Sequence, residues 1–458
     1  MEPNSQLDVL LDQSGISRAG LALRVNRLGA EHDVTLRYDH TAVARWVKGQ
    51  RPRGRVPELI CEVLGARLER TLTLADIGMA GPPGAQPASS RPSGTAGEDD
   101  DGQATLGRFV ERAAVSWRAD EMHTYSQGPA LLTGAAAVAP VWEWENPPDD
   151  LDVSHKGKRE VSGVDVALLH AARGHYEHLY RNAGGVATRP RVVGFLTGEV
   201  APLLRGEYGD GTGRELFHAA GALAAVSGIC AYDADEQGLA QRYFHQALRL
   251  GKASGDRLFG GYVVSLIVNQ ALFLGDNRRA IACAEAVLRT RAPRYTPALA
   301  TDLYAMQAKA YARIGDRRGA HDCMRSAESS SARIRPEEEP EETGYVQPGL
   351  VQVRLAEALL VLGELEPARR YAEEAARAPA HVRGRVNRLA TLTGVELRTG
   401  SPESAAETAV RMADQAQGIE SQLLRQRMRQ VRERLLRHPG APVAEAAELI
   451  EETLRVPL

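Results

Sequence analysis

From Val161 to the C-terminus, apolar residues recur three and four apart, and that spacing is itself periodic. The clearest stretch is LAAVSGICAYDADEQGLAQRYFHQALRLG. In it Gly228, Ala240, Phe244 and Ala247 fall where two antiparallel helices need small residues at their crossing and an aromatic filler behind it. The offsets return at Ala280, Ala284 and Val287, 40 residues on, and at Ala320, Met324 and Ala327 after another 40. Ala368, Ala372 and Ala375 follow after 48, and Ala406, Val410 and Ala413 after 38. The turns LGDNRRA, IGDRRGA, LGELEPA and RTGSPESA precede these later helices, with Gly275, Gly315, Gly363 and Gly400 as expected C-caps. Further helices are expected over 163–183 and 189–205 before the repeats and over 419–437 and 442–455 after them.

This is the tetratricopeptide pattern, and it predicts an α-solenoid over 161–458 whose concave surface takes a peptide or protein ligand. The extra eight residues of the third interval coincide with RIRPEEEPEETG, read as an exposed, solvated acidic loop. Residues 104–160 read as a helical and irregular connecting segment. There Leu106, Phe109, Val110, Ala113 and Trp117 make a helical stripe, while VWEWENPPDDLDVSHKGKRE reads as irregular, with Trp142 and Trp144 packed. Residues 81–103 are rich in Pro, Gly, Ser and Ala and end in consecutive acids, a composition that cannot bury enough apolar surface to fold. They predict a disordered linker behind a first domain of residues 1–80.

In that first domain, YDHTAVARWVKGQRPR at 38–53 predicts a helix of about eight to ten residues, a size that enters a major groove. Asp39 can cap its start, and Gly49 stands where a left-handed residue would end it. Val43, Val47 and part of Trp46 can face a core, while His40, Thr41, Ala44, Arg45 and Lys48 turn outward. Upstream, Ser17 followed by RAGLALRVNRLGA predicts a capped helix that would cross the DNA backbone, so the pair reads as a helix-turn-helix.

Charge sharpens this reading. Between Gly15 and Arg55 stand nine basic residues and three acidic ones, in a chain of net charge −3. Such local positive potential suits phosphate contacts, and an arginine reaching guanine adds discrimination of about 1–3 kcal/mol. The candidate contacts to double-stranded DNA are His40, Thr41, Ala44, Arg45, Lys48, Arg51, Arg53, Arg37 and Arg24, with Arg45 the foremost base reader. A chain of 458 residues implies two to four units. Only 5% aromatic residues, with Ala, Leu and Arg dominant, favours helices. Of the 56 basic residues all but five are Arg, which reads as the signature of a GC-rich genome.

Chemistry is thin. There is no phosphate-cradling glycine loop ending in Lys-Ser or Lys-Thr, and Cys61, Cys230, Cys283 and Cys323 lack metal-ligand spacing. His170, His175 and His178 read as packing or surface histidines. Neither catalysis nor any cofactor or metal is expected. Without a leader or an apolar run of about 18 residues, a reduced cytoplasmic protein is expected, nucleoid-associated when bound to DNA and with no membrane contact.

The strings LRYDHTAVARWVKGQRPRG, LICEVLGARL and LTLADIGM resemble the XRE-type helix-turn-helix heads of a large group of actinobacterial, especially streptomycete, regulators. The stretch from VVGFLTGEVAPLLRGEYGDGTGRELFHAAG to GKASGDRLFGGYV is similar to that group's tetratricopeptide-like body. The resemblance implies an all-α regulator of sporulation and antibiotic production whose recognition helix falls on His40 to Lys48, with Thr41, Arg45 and Lys48 at the DNA. Val47 stands where an acidic residue is common in the wider XRE group. A homodimer reading two half-sites would fit such a head. The other reading is a tetratricopeptide adaptor or scaffold with no specific DNA binding.

Overall fold

A computed structural model describes residues 4–14, 16–31, 36, 38–50, 52, 56–68, 72–74, 76–79, 100–123, 129–289 and 295–455. The chain divides into two compact units, Met1–Thr95 and Ala96–Leu458. Both are helical, and among the described residues β-structure is limited to two isolated bridges, His155 with Tyr208 and Glu160 with Glu207. The all-α expectation, a small N-terminal domain followed by helical repeats, describes the molecule.

The first unit comprises α1 (Ser5–Ser14), α2 (Arg18–Glu31), α3 (His40–Val47) and α4 (Val56–Leu68). Leu7, Leu21, Val25, Val43, Trp46, Ile60, Leu64 and Ile77 form its core. The Ser17 hydroxyl accepts from the Gly20 N–H (3.1 Å) and so caps α2. Helices α1 and α4 supply much of the apolar surface on which the other two rest.

The second unit opens with α5 (Asp100–Glu121) and α6 (Ala135–Glu145). The expected linker therefore gives way to helix at Asp100, and residues 81–99 lie outside the described residues. Val141–Glu145, read from sequence as irregular, belong to α6, because Trp144 and Val141 are drawn into the core. Trp142 is exposed rather than packed. Trp117 and Trp144 lie in one core cluster with the first repeats, so 104–160 is built into the body.

Two helices follow: α7 (Gly163–Ala183), capped by a reciprocal Ser162–Asp165 box, and α8 (Gly185–Phe195). A π-turn at Leu196–Val200 leads from α8 into α9 (Ala201–Leu204). The antiparallel pairs are then α10 (Asp210–Asp233) with α11 (Gln237–Ser254), α12 (Arg257–Phe273) with α13 (Asn277–Leu288), and α14 (Pro297–Arg313) with α15 (Arg317–Ser331). The last three are α16 (Leu350–Leu362) with α17 (Leu365–Arg377), α18 (Val382–Arg398) with α19 (Pro402–Ala416), and α20 (Gln422–Leu435) with α21 (Ala441–Arg455).

The repeat register read from sequence coincides with burial. Ala240, Phe244, Ala247, Ala280, Ala284, Val287, Ala320, Met324, Ala327, Ala368, Ala372 and Ala375 are all buried. A Cβ on Gly228 would lie 2.6 Å from the Phe244 ring, so a glycine is required at that crossing. In the last of these units Val410 is only half-buried and Ala409 takes the innermost place. Gly275, Gly315, Gly363 and Gly400 all adopt positive φ at the ends of first helices. Helix α10 is long and apolar enough, by length and composition, to cross a membrane, although no unbroken apolar run marks it in the sequence; here it is the buried centre of the first pair.

The stack returns on itself. The Val186 N–H donates to the Glu420 carbonyl (3.1 Å) and the Glu420 N–H to the Ala183 carbonyl (2.8 Å), joining the α7–α8 corner to the turn before α20. Fully buried Asp233 accepts from the Gly185 N–H (2.8 Å), from Arg383 on α18 through Nε (3.0 Å), and from the Ser421 hydroxyl (2.8 Å). A Cβ on Gly185 would come within 2.5 Å of the Cys230 carbonyl, which explains the Gly184-Gly185 pair at this corner. The acidic insertion is not a free loop either. Glu339 accepts from the Ala298 N–H at the start of α14 (2.9 Å) and Glu341 pairs with Arg173 on α7 (3.0 Å), while Glu342 and Thr343 are buried.

Candidate functional site

Helix α3 is short, and both ends are fixed by local chemistry. The Asp39 carboxylate accepts from the N–H groups of Thr41 (3.1 Å) and Ala42 (3.0 Å) and from the Thr41 hydroxyl (2.6 Å). The Thr41 hydroxyl above all, then the Ala42 N–H, holds this carboxyl below its ordinary range. At the other end Gly49 takes φ 97°, its N–H donates to the Trp46 carbonyl (3.0 Å) and Gln50 N–H donates to the Arg45 carbonyl (2.9 Å), a Schellman closure. The Asn4 N–H donates to the Val47 carbonyl (2.8 Å) from the start of α1.

The inward face consists of Ala42, Val43 and Trp46, with Val47 half-buried. Trp46 is buried as a whole and meets Tyr38 edge-on at 5.1 Å, an arrangement worth about 0.5–1.5 kcal/mol beyond its area. Tyr38 is held in turn by the Asn26 amide, which accepts from the Tyr38 N–H (2.9 Å) and donates to its carbonyl (2.8 Å). This two-bond clamp fixes the entry to α3 against α2. Eight residues separate the two helices, more than the three or four usual in a helix-turn-helix.

On the opposite face His40, Thr41, Arg45 and Lys48 are exposed and Ala44 is half-buried, so the structure brings these five together on one side of α3. Because the Thr41 hydroxyl donates to Asp39, it has only lone pairs to offer a ligand. Arg24 is exposed on α2 with its guanidinium turned back over Gly20, toward the α2 start. Arg37, Arg51 and Arg53 lie outside the described residues.

A second concave site lies inside the repeats, where the first helices of the pairs face a cavity of 520 Å³. Asp302 pairs with Arg354 (2.5 Å) and accepts from the Tyr345 hydroxyl (2.7 Å). Glu357 meets Lys309 (2.6 Å) and Arg427 (2.6 Å). Burial opposes ionisation of Glu357, but the charges of Lys309 and Arg427 overcome it and hold the carboxyl well below its usual range. Burial pushes the Tyr345 phenol well up. These residues were missed from sequence because their partners come from distant helices; the signal available was the run of charges on first helices, Asp302, Lys309 and Arg313, at helical spacing.

Of the three histidines read together, His170 faces His218 instead (5.6 Å between rings), and His175 and His178 are exposed. Among the described residues no group of three or more His, Cys, Asp and Glu side chains is placed to hold a metal.

Residues 7–80 match the family model described as SP15 N-terminal domain, a similarity confined to the first unit. No curated protein matches the chain.

Proposed function

We propose that the protein is a sequence-specific DNA-binding transcriptional regulator, with α3 as its reading helix and the repeat body as the part that receives a peptide, protein or other signal. The observation that carries this is the outward face of α3. Its cationic residues stand on a helix whose ends are capped and whose other face is locked by Trp46, so little conformational entropy remains to be lost on docking. Phosphate contacts from the surrounding basic window would supply salt-dependent affinity, and Arg45 would supply base discrimination. The resemblance of the sequence to actinobacterial regulators supports targets in differentiation and antibiotic production, and a cytoplasmic, nucleoid-associated place of action.

The test is genome-wide capture of DNA bound to the tagged protein in its native host, beside Arg45→Ala at the same salt. A shared motif enriched by the wild type and lost in the variant is expected. No enrichment in either, with both proteins expressed and folded, would replace this reading by the adaptor.

A further inference from the structure

Seven cationic side chains and three carboxylates line the inner cavity of the repeats. Every one of those carboxylates is already engaged: Glu177 by Arg173 and Arg181, Asp302 by Arg354, and Glu357 by Lys309 and Arg427 together. Arg383 is matched from behind the wall by Asp233.

Arg313 and Arg388 have no carboxylate partner among the described residues. Arg313 donates to the Leu272 carbonyl (2.6 Å), and Arg388 directs its guanidinium at the carbonyls of Ala375, Ala378, Pro379 and Pro348. The Nε of Arg427 is buried without a hydrogen-bond partner. The wall therefore carries uncompensated positive charge in a confined space, where charge is costly unless an opposite charge joins it and where field lines concentrate counter-ions. A volume of 520 Å³ lies in the range of sites for small molecules and excludes a folded partner.

We propose that this cavity binds a small, multiply charged anion bearing phosphate or carboxylate groups, seated beside Lys309 between Arg313 and Arg427. The half-buried rings of Tyr180, Tyr232 and Tyr345 supply apolar wall around the anion's carbon skeleton. The inference rests on the repeat body being the receiving part and names the chemistry it receives.

Pyrophosphate titrated at constant ionic strength into the full chain, without DNA, should raise the melting temperature saturably. Arg313→Gln and Arg427→Gln should each weaken the apparent affinity at least tenfold, while Arg318→Gln, a solvent-exposed arginine outside the cavity, should leave it unchanged. Two cavity variants are used so that failure of one to fold leaves the other to decide. Absence of a saturable rise in the wild type, or a rise that the folded cavity variants retain in full, overturns the proposal. Because no DNA is present, a failure here is distinct from a failure of operator binding.

Discussion

Phe244 shows how one side chain sets the register of a helix pair. It is buried against Gly228, where no Cβ fits, so the pair interlocks in one alignment only. Phe244→Ala should cost about 3–5 kcal/mol through the cavity it leaves, read as a lowered denaturation midpoint with unchanged slope. Its neighbour His245 acts through protons. Burial, aided by the Arg279 guanidinium, pushes this imidazole down to about 4. In the unfolded chain a histidine takes its proton near pH 6.5, so between there and about 4 protonation favours unfolding. Stability from the neutral ring is complete above about pH 6.5 and is lost as pH falls toward 4. The melting temperature should therefore drop between pH 7 and pH 5, and His245→Gln should remove part of that drop; an equal drop in the variant would exclude His245 as a source.

Among the elements, the insertion before α16 carries the least regular structure and yet is tied at Glu339 and Glu341. Glu339→Ala removes its bonds to the Ala298 N–H and the Thr343 hydroxyl, so trypsin should cleave after Arg333, where the insertion begins, several-fold faster while helix content is retained. An unchanged cleavage rate would mean that Glu341 alone holds the segment. Most elements were legible in the sequence wherever the signal is local. Asp39, Gly49 and the Val43–Trp46 face predict α3, and the small-residue offsets predict the second helices of the pairs. What was not legible depends on partners far along the chain. The insertion reads as solvated because Arg173 and Ala298 stand far from it in sequence. The inner-face charges drew no reading at all, because Asp302 meets Arg354, and Glu357 meets Arg427, only after the stack has curved. On the candidate reading face the outward residues of α3 were legible by helical spacing, whereas the commitment of Thr41 to Asp39 needs atomic geometry.

At the scale of the whole molecule, the repeat body is held by a charge as well as by packing. Asp233 on α10 gathers Gly185, Arg383 and Ser421, residues 48, 150 and 188 positions away. Asp233→Asn leaves Arg383 without its counter-charge, a loss of about 3–5 kcal/mol for a buried pair. Amide hydrogen exchange should then quicken in α8 and α20 together; quickening confined to α10 would show that the contact does not couple the two regions. A stack of repeats open at both ends unravels from its termini, and its stability is close to a sum over neighbours. Here the outermost units guard each other. Damage to the last helices exposes the α7–α8 corner as well as α18, so the array loses two interfaces at once, and the contribution of any one repeat depends on whether the circuit is intact.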